Sequence, residues 1–150
     1  MFPHVPPLPR GARGVLPTAS NQQIMSTLFR RLQPAQKFRI TIGAIAQLLK
    51  IPKHRIVRVE SWAHIVFVHR TDEGGQFLSY RRLQHWLNAI AYQMQNCSTC
   101  QQLRSLWLAI EKDCKKHKNQ YNDSSQLFLH QIRTKCWDYL WSEQKLAGAG

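Results

Sequence analysis

The sequence predicts an α+β fold, mostly helical, in the order helix, strand, helix, helix, β-hairpin, helix, with a helical hairpin appended on the C-terminal side. Three observations carry that prediction. Apolar residues recur every three to four positions through much of residues 23–145, the spacing that lines one face of a helix. A run of β-branched and aromatic residues over 63–80 is divided by Thr71-Asp72-Glu73-Gly74-Gly75, a turn in which glycine supplies positive φ. With 43% hydrophobic and 10% aromatic residues, a chain of 150 residues can bury a core of ordinary size.

Residues 1–22 hold Pro at 3, 6, 7, 9 and 17, and no acidic residue. They cannot present a regular apolar face, so a disordered leader is expected. Its PPLPR run is similar to a polyproline II ligand, and Met25 opens a stretch that reads like a natural start, so the leader is expected to be either dispensable or an over-extension ahead of the true start. Ile24, Leu28 and Leu32 share a helical face over 23–32, which Pro34 should end. Residues 37–42, KFRITI, alternate and predict a short half-buried strand. Thr41 or Gly43 can cap a helix over 44–50, closed before Pro52.

Residues 53–62 admit two readings. As a helix, Ile56, Val59 and Ala63 share a face. As a strand, Val57 and Val59 alternate with Arg58 and Glu60, and the β-branched content suits it. No Gly, Asn, Asp or Pro between Glu60 and His64 turns such a strand into the next, so the helix is favoured. A hairpin then follows, one strand near 63–68 and its partner at 76–80. Leu83, Trp86, Leu87, Ile90, Ala91 and Met94 form the apolar stripe of the next helix. Helical spacing resumes from Cys100 to about Lys118 and from Leu127 to about Gln144, separated by a polar loop at 119–125, with 146–150 expected to fray. The expected division is therefore a leader (1–22), a domain (23–96) and a helical hairpin (97–150).

Charge narrows function. Lys and Arg number 21 against 8 Asp and Glu, a formal +13, and a polyanionic partner is the plainest use for that imbalance. Residues 23–96 hold 11 of the basic residues and 3 acids; residues 97–150 hold 8 and 5. Within the first segment, residues 42–59 (IGAIAQLLKIPKHRIVRV) have a small residue, Ala46, where two helices would cross. Ile45 and Leu49 support it, Ile51 is the apolar turn residue, and Ile56 and Val59 are anchors beyond the turn. This pattern, with the element order, resembles the winged helix-turn-helix DNA-binding superfamily, except that Lys50 stands where glycine is frequent. The resemblance implies a recognition helix reading bases with Lys53, His54 and Arg55. Arg58 would reach a base or phosphate, Arg39 and Lys50 phosphates, and a wing would bring His69 and Arg70 to the backbone. The acidic tip, Asp72 and Glu73, argues against the tip itself entering a groove.

The expected function is a non-enzymatic, cytoplasmic nucleic-acid-binding protein: a transcriptional regulator or mobile-element accessory protein on duplex DNA. Alternatives are an RNA- or ribosome-associated basic α+β protein, in which 54–82 form a three-stranded meander, and a scaffold acting through its C-terminal helices. Those helices (97–145) could also make a homodimer or hold a protein partner.

No catalytic residue and no cofactor is expected, because the acids are scattered and no nucleophile motif or phosphate loop is present. Cys97, Cys100, Cys114 and His117 have zinc-like spacing, but a continuous helix would set Cys100 and Cys114 roughly 21 Å apart, against ligand distances near about 2.0–2.3 Å. No metal site is therefore expected. Nor is a membrane span, for want of a run of about 18 apolar residues. Trp86, Trp107 and Trp137 lie on apolar helical stripes and are expected in the core.

Overall fold

The computed structural model describes residues 26–149, so the leader and Ile24 lie outside the described residues. Helix α1 (Thr27–Leu32) is opened by Ser26, whose hydroxyl accepts from the Phe29 N–H at 3.1 Å, and buries Leu28, Phe29 and Leu32. Gln33 closes it in the left-handed region (φ 48°), and Pro34, in place of a simple stop, opens a second short helix, α2 (Pro34–Lys37).

The strand expected at 37–42 does not form. Its alternation reflects an extended connection laid on the core. Phe38 packs edge-on against Tyr80, with ring centroids 6.1 Å apart, and the Arg39 carbonyl lies 2.9 Å from His85 Nε2, a side chain where a strand would have a backbone partner. Thr41 caps α3 (Ile42–Leu49) by accepting from the Ala44 N–H at 3.1 Å, and Ile45 and Ala46 are buried. At the end of α3, Lys50 adopts φ 58° and ψ 47°, and the Ile51 N–H returns to the Ala46 carbonyl at 3.0 Å, the hydrogen-bond pattern of a Schellman closure.

Beyond Pro52 the favoured helix is replaced by a single 3-10 turn (Lys53–Arg55) and a strand, β1 (Ile56–Ser61). β1 pairs antiparallel with β2 (Val66–Arg70), which pairs with β3 (Gly74–Leu78), giving a meander in the order β1-β2-β3. Two features decide strand over helix. The β-branched residues Ile56, Val57 and Val59 suit the pleat, and β1 satisfies the backbone groups along one edge of β2. The β1–β2 connection, which lacks turn residues, is held from outside. Trp62 N–H bonds the Ile65 carbonyl at 3.0 Å, and the Tyr80 hydroxyl donates to the Trp62 carbonyl. A bulge between Ile56 and Arg58 turns Val57 outward, 48% exposed.

A 3-10 turn (Tyr80–Arg82) leads into α4 (Gln84–Gln95), whose expected stripe is buried throughout. Thr99 caps α5 (Cys100–Lys116) by accepting from the Gln102 N–H at 3.1 Å, and the Gln102 side chain accepts from the N–H of the preceding residue, Ser98, at 2.7 Å. The α5 helix is unbroken, so Cys100 and Cys114 sit far apart along it. After a 3-10 turn (Lys118–Gln120), α6 (Asp123–Ala149) starts earlier than expected and continues past the expected fraying point. Among the described residues no helix is long and apolar enough to cross a membrane.

One apolar core runs through both expected halves, from Leu28 and Val66 through Trp86 and Ile90 to Ile110 and Leu129. A polar knot fastens the same junction. Arg81 grips Asp113 with two bonds of 2.7 Å, at side-chain exposures of 2% and 0%. Asp113 also accepts from Ser26 at 2.6 Å and from the Tyr121 hydroxyl, which in turn accepts from Trp86 Nε1 at 2.9 Å. Burial would raise the Asp113 carboxyl, but the Arg81 guanidinium and these hydroxyls outweigh it and hold it below its ordinary range. The helical hairpin is therefore joined to residues 26–96 by shared core and buried charge.

Candidate nucleic-acid interface

The sheet's alternation sorts its residues onto two faces. Ile56, Val66, Val68, Arg70 and Leu78 turn inward and are buried. Arg58, Glu60, Phe67, His69, Gly75 and Phe77 occupy the opposite face, aligned by the pairs Arg58↔His69↔Gly75 and Glu60↔Phe67↔Phe77. Trp62, from the β1–β2 connection, completes this outer face.

Its centre is aromatic. Trp62 stacks on Phe67 at 5.3 Å with 12° between the planes, and Phe77 meets both rings edge-on at 5.4 and 5.6 Å. Phe77 is 40% exposed, while Trp62 and Phe67 are half-buried against one another. The Phe67 ring lies over Gly75, where a Cβ would stand 2.7 Å from it, so glycine there is what lets the ring lie flat on the sheet.

A polar string borders the aromatics. Arg58 Nε donates to Glu60 at 2.6 Å, Trp62 Nε1 donates to the other Glu60 oxygen at 3.0 Å, and Arg58 Nη1 lies 3.1 Å from His69 Nδ1. Burial would raise the Glu60 carboxyl; the bonds from Arg58 and Trp62 and the neighbouring charges more than offset this and lower it. Glu60 thus stays ionised and fixes both the guanidinium and the indole in place.

The sequence-predicted residues divide around this face. Arg58 and His69 are brought together on it. Lys50, Lys53, His54 and Arg55 are exposed on the chain entering β1, and Arg55 lies 3.5 Å from Asp72. Lys50 and Lys53 have no carboxylate partner within 4.0 Å among the described residues. Arg39 is exposed, with its backbone tied to α4 and not to the sheet. Arg70 requires a correction. It sits on the inner face, bonded twice to Asp72 at 2.9 Å, to Glu73 at 2.8 Å and to Gln76 at 3.1 Å. It organises the hairpin tip, and the tip acids are its partners.

Trp62, Phe67 and Phe77 are not legible as site residues in the sequence. Alternation in β2 and β3 separates Phe67 from Val66 and Val68, and Phe77 from Leu78, but which side faces the helices is decided by packing. Among the described residues no three His, Cys, Asp or Glu side chains come together to hold a metal ion. The four cysteines are free thiols, and burial raises Cys114 to about 12, which makes it a poor nucleophile. No family model matches the chain, and no curated protein or solved structure matches it.

Proposed function

We propose that this protein binds single-stranded nucleic acid, RNA in the first place, on the outer face of its three-stranded sheet, without catalysing a reaction. The observation that carries the reading is the Trp62–Phe67–Phe77 surface beside Arg58 and His69. Unpaired bases stack on aromatic side chains displayed on sheets, and each stacked base contributes about 1–3 kcal/mol. Phe77 offers the accessible ring. Arg58 and the exposed cations entering β1, Lys50, Lys53 and Arg55, supply the sequence-independent attraction for phosphates, with His54 exposed among them.

Duplex DNA is the less favoured ligand. A major-groove reader uses an α-helix or a two-stranded ribbon, and residues 53–61 form one 3-10 turn and the edge strand of a three-stranded sheet. The test is a binding comparison of single-stranded RNA, single-stranded DNA and duplex DNA of equal length. Single strands should bind more tightly than the duplex, RNA at least as well as DNA; a clear preference for the duplex would overturn the reading.

A further inference from the structure

A second cationic-aromatic cluster lies in the C-terminal half of the chain, in the seam between α5 and α6. Each helix contributes one arginine and one tryptophan, and the pairs cross. Arg104 of α5 lies over the Trp137 ring of α6 at 5.4 Å, and Arg133 of α6 lies over the Trp107 ring of α5 at 5.0 Å. His130 meets Trp107 edge-on at 4.9 Å. These side chains line a groove of about 340 Å³, with Glu111 its one carboxylate. Trp107 is 7% exposed and Trp137 is half-buried, so the indoles are firm platforms.

A guanidinium stacked on an indole keeps its N–H donors at its edge, where they are free to bond. Among the described residues neither Arg104 nor Arg133 has a carboxylate within 4.0 Å, and neither donates a hydrogen bond to the protein. Two exposed guanidiniums and a histidine line one groove, a set of N–H donors suited to a phosphate group, which arginine binds through paired N–H donors.

We propose that the α5–α6 groove is a phosphate-binding site for a nucleotide, carried either by a nucleic-acid strand or free. Arg104 and Arg133 hold the phosphate oxygens, His130 adds a third donor, and Trp107 and Trp137 fix the guanidinium planes. The site shares no residue with the sheet face, so it stands or falls apart from the function proposed above.

The test follows the indole N–H signals of Trp107 and Trp137 and the Nε–H signals of Arg104 and Arg133 by NMR in the full chain. The probes are adenosine, adenosine monophosphate and a single-stranded RNA oligonucleotide. A response to the monophosphate but not to adenosine supports a free-nucleotide source; a response to the oligonucleotide supports a strand. The R104Q/R133Q variant should weaken the responding ligand by about tenfold or more. R104K/R133K, which keeps charge but loses the planar fork, should also weaken it, while F77A should leave the groove signals responsive. Absence of response to both phosphorylated probes would overturn the site, as would a loss in R104Q/R133Q no larger than in the charge-matched control K116Q/K118Q.

Discussion

Lys50 shows how a single residue records the chain's turn. Its φ of 58° is the left-handed conformation that costs an L-residue with a Cβ about 1–2 kcal/mol and glycine almost nothing. Lys50→Gly should therefore raise unfolding stability by about 0.5–1 kcal/mol in urea titration, while removing one unpaired cation beside the sheet. An unchanged or lower stability would show that the turn is not strained. The sequence marks this position, because the winged helix-turn-helix resemblance would place glycine where lysine stands. Arg70 is not marked in this way. As a basic residue next to a turn it looks free, and only the folded hairpin closes Asp72, Glu73 and Gln76 around it. Trp62 is hidden for a related reason: its stacking partner, Phe67, and the hydroxyl that holds its carbonyl, on Tyr80, come from later segments.

Whole elements are legible where the pattern is long and local. The stripe of α4, the Thr41 cap of α3 and the Gly-containing hairpin turn all follow from spacing and capping chemistry. Two short segments mislead. Residues 37–42 alternate because an extended link lies on the core, and alternation does not reveal whether a partner strand exists. Residues 56–61 form a strand because β2 offers an edge and Tyr80 secures the turn; neither is a property of the segment itself. The sheet's outer face depends on Gly75 in the same non-local way. Gly75→Ala would place a Cβ 2.7 Å from the Phe67 ring and must push it off the sheet. The expected outcome is disturbed near-ultraviolet circular dichroism from the Trp62–Phe67 stack, with little change in global stability because the displaced atoms are the far end of a half-buried ring on the outer face. An unchanged spectrum would mean that the ring does not rest there.

At the scale of the whole molecule, one continuous core and one buried ion pair run across residue 96, where the sequence suggests a division. Asp113→Ala leaves Arg81 charged and without its carboxylate in the interior, a change expected to cost about 3–5 kcal/mol. Fluorescence and circular dichroism should also report a single coincident unfolding transition in the intact chain; two separated transitions would mean that residues 97–149 fold as a separate unit. The acid side of stability follows from the same carboxylate. Its folded pKa lies below the ordinary 3.8, so its contribution is full above that value and is lost as pH falls through it towards the lower folded pKa. Asp113→Asn should remove that share of the acid-induced loss.

The central claim, that the aromatic sheet face holds unpaired bases, is tested most directly by RNA binding to Phe77→Ala, because Phe77 is exposed and its loss spares the core. Fluorescence anisotropy with a labelled single-stranded RNA should show wild-type affinity falling steeply between about 50 and about 200 mM salt. At either salt concentration the variant should bind about 5- to 150-fold more weakly, the loss of one stacked base. A variant that is folded and binds the RNA as tightly as wild type would contradict the account.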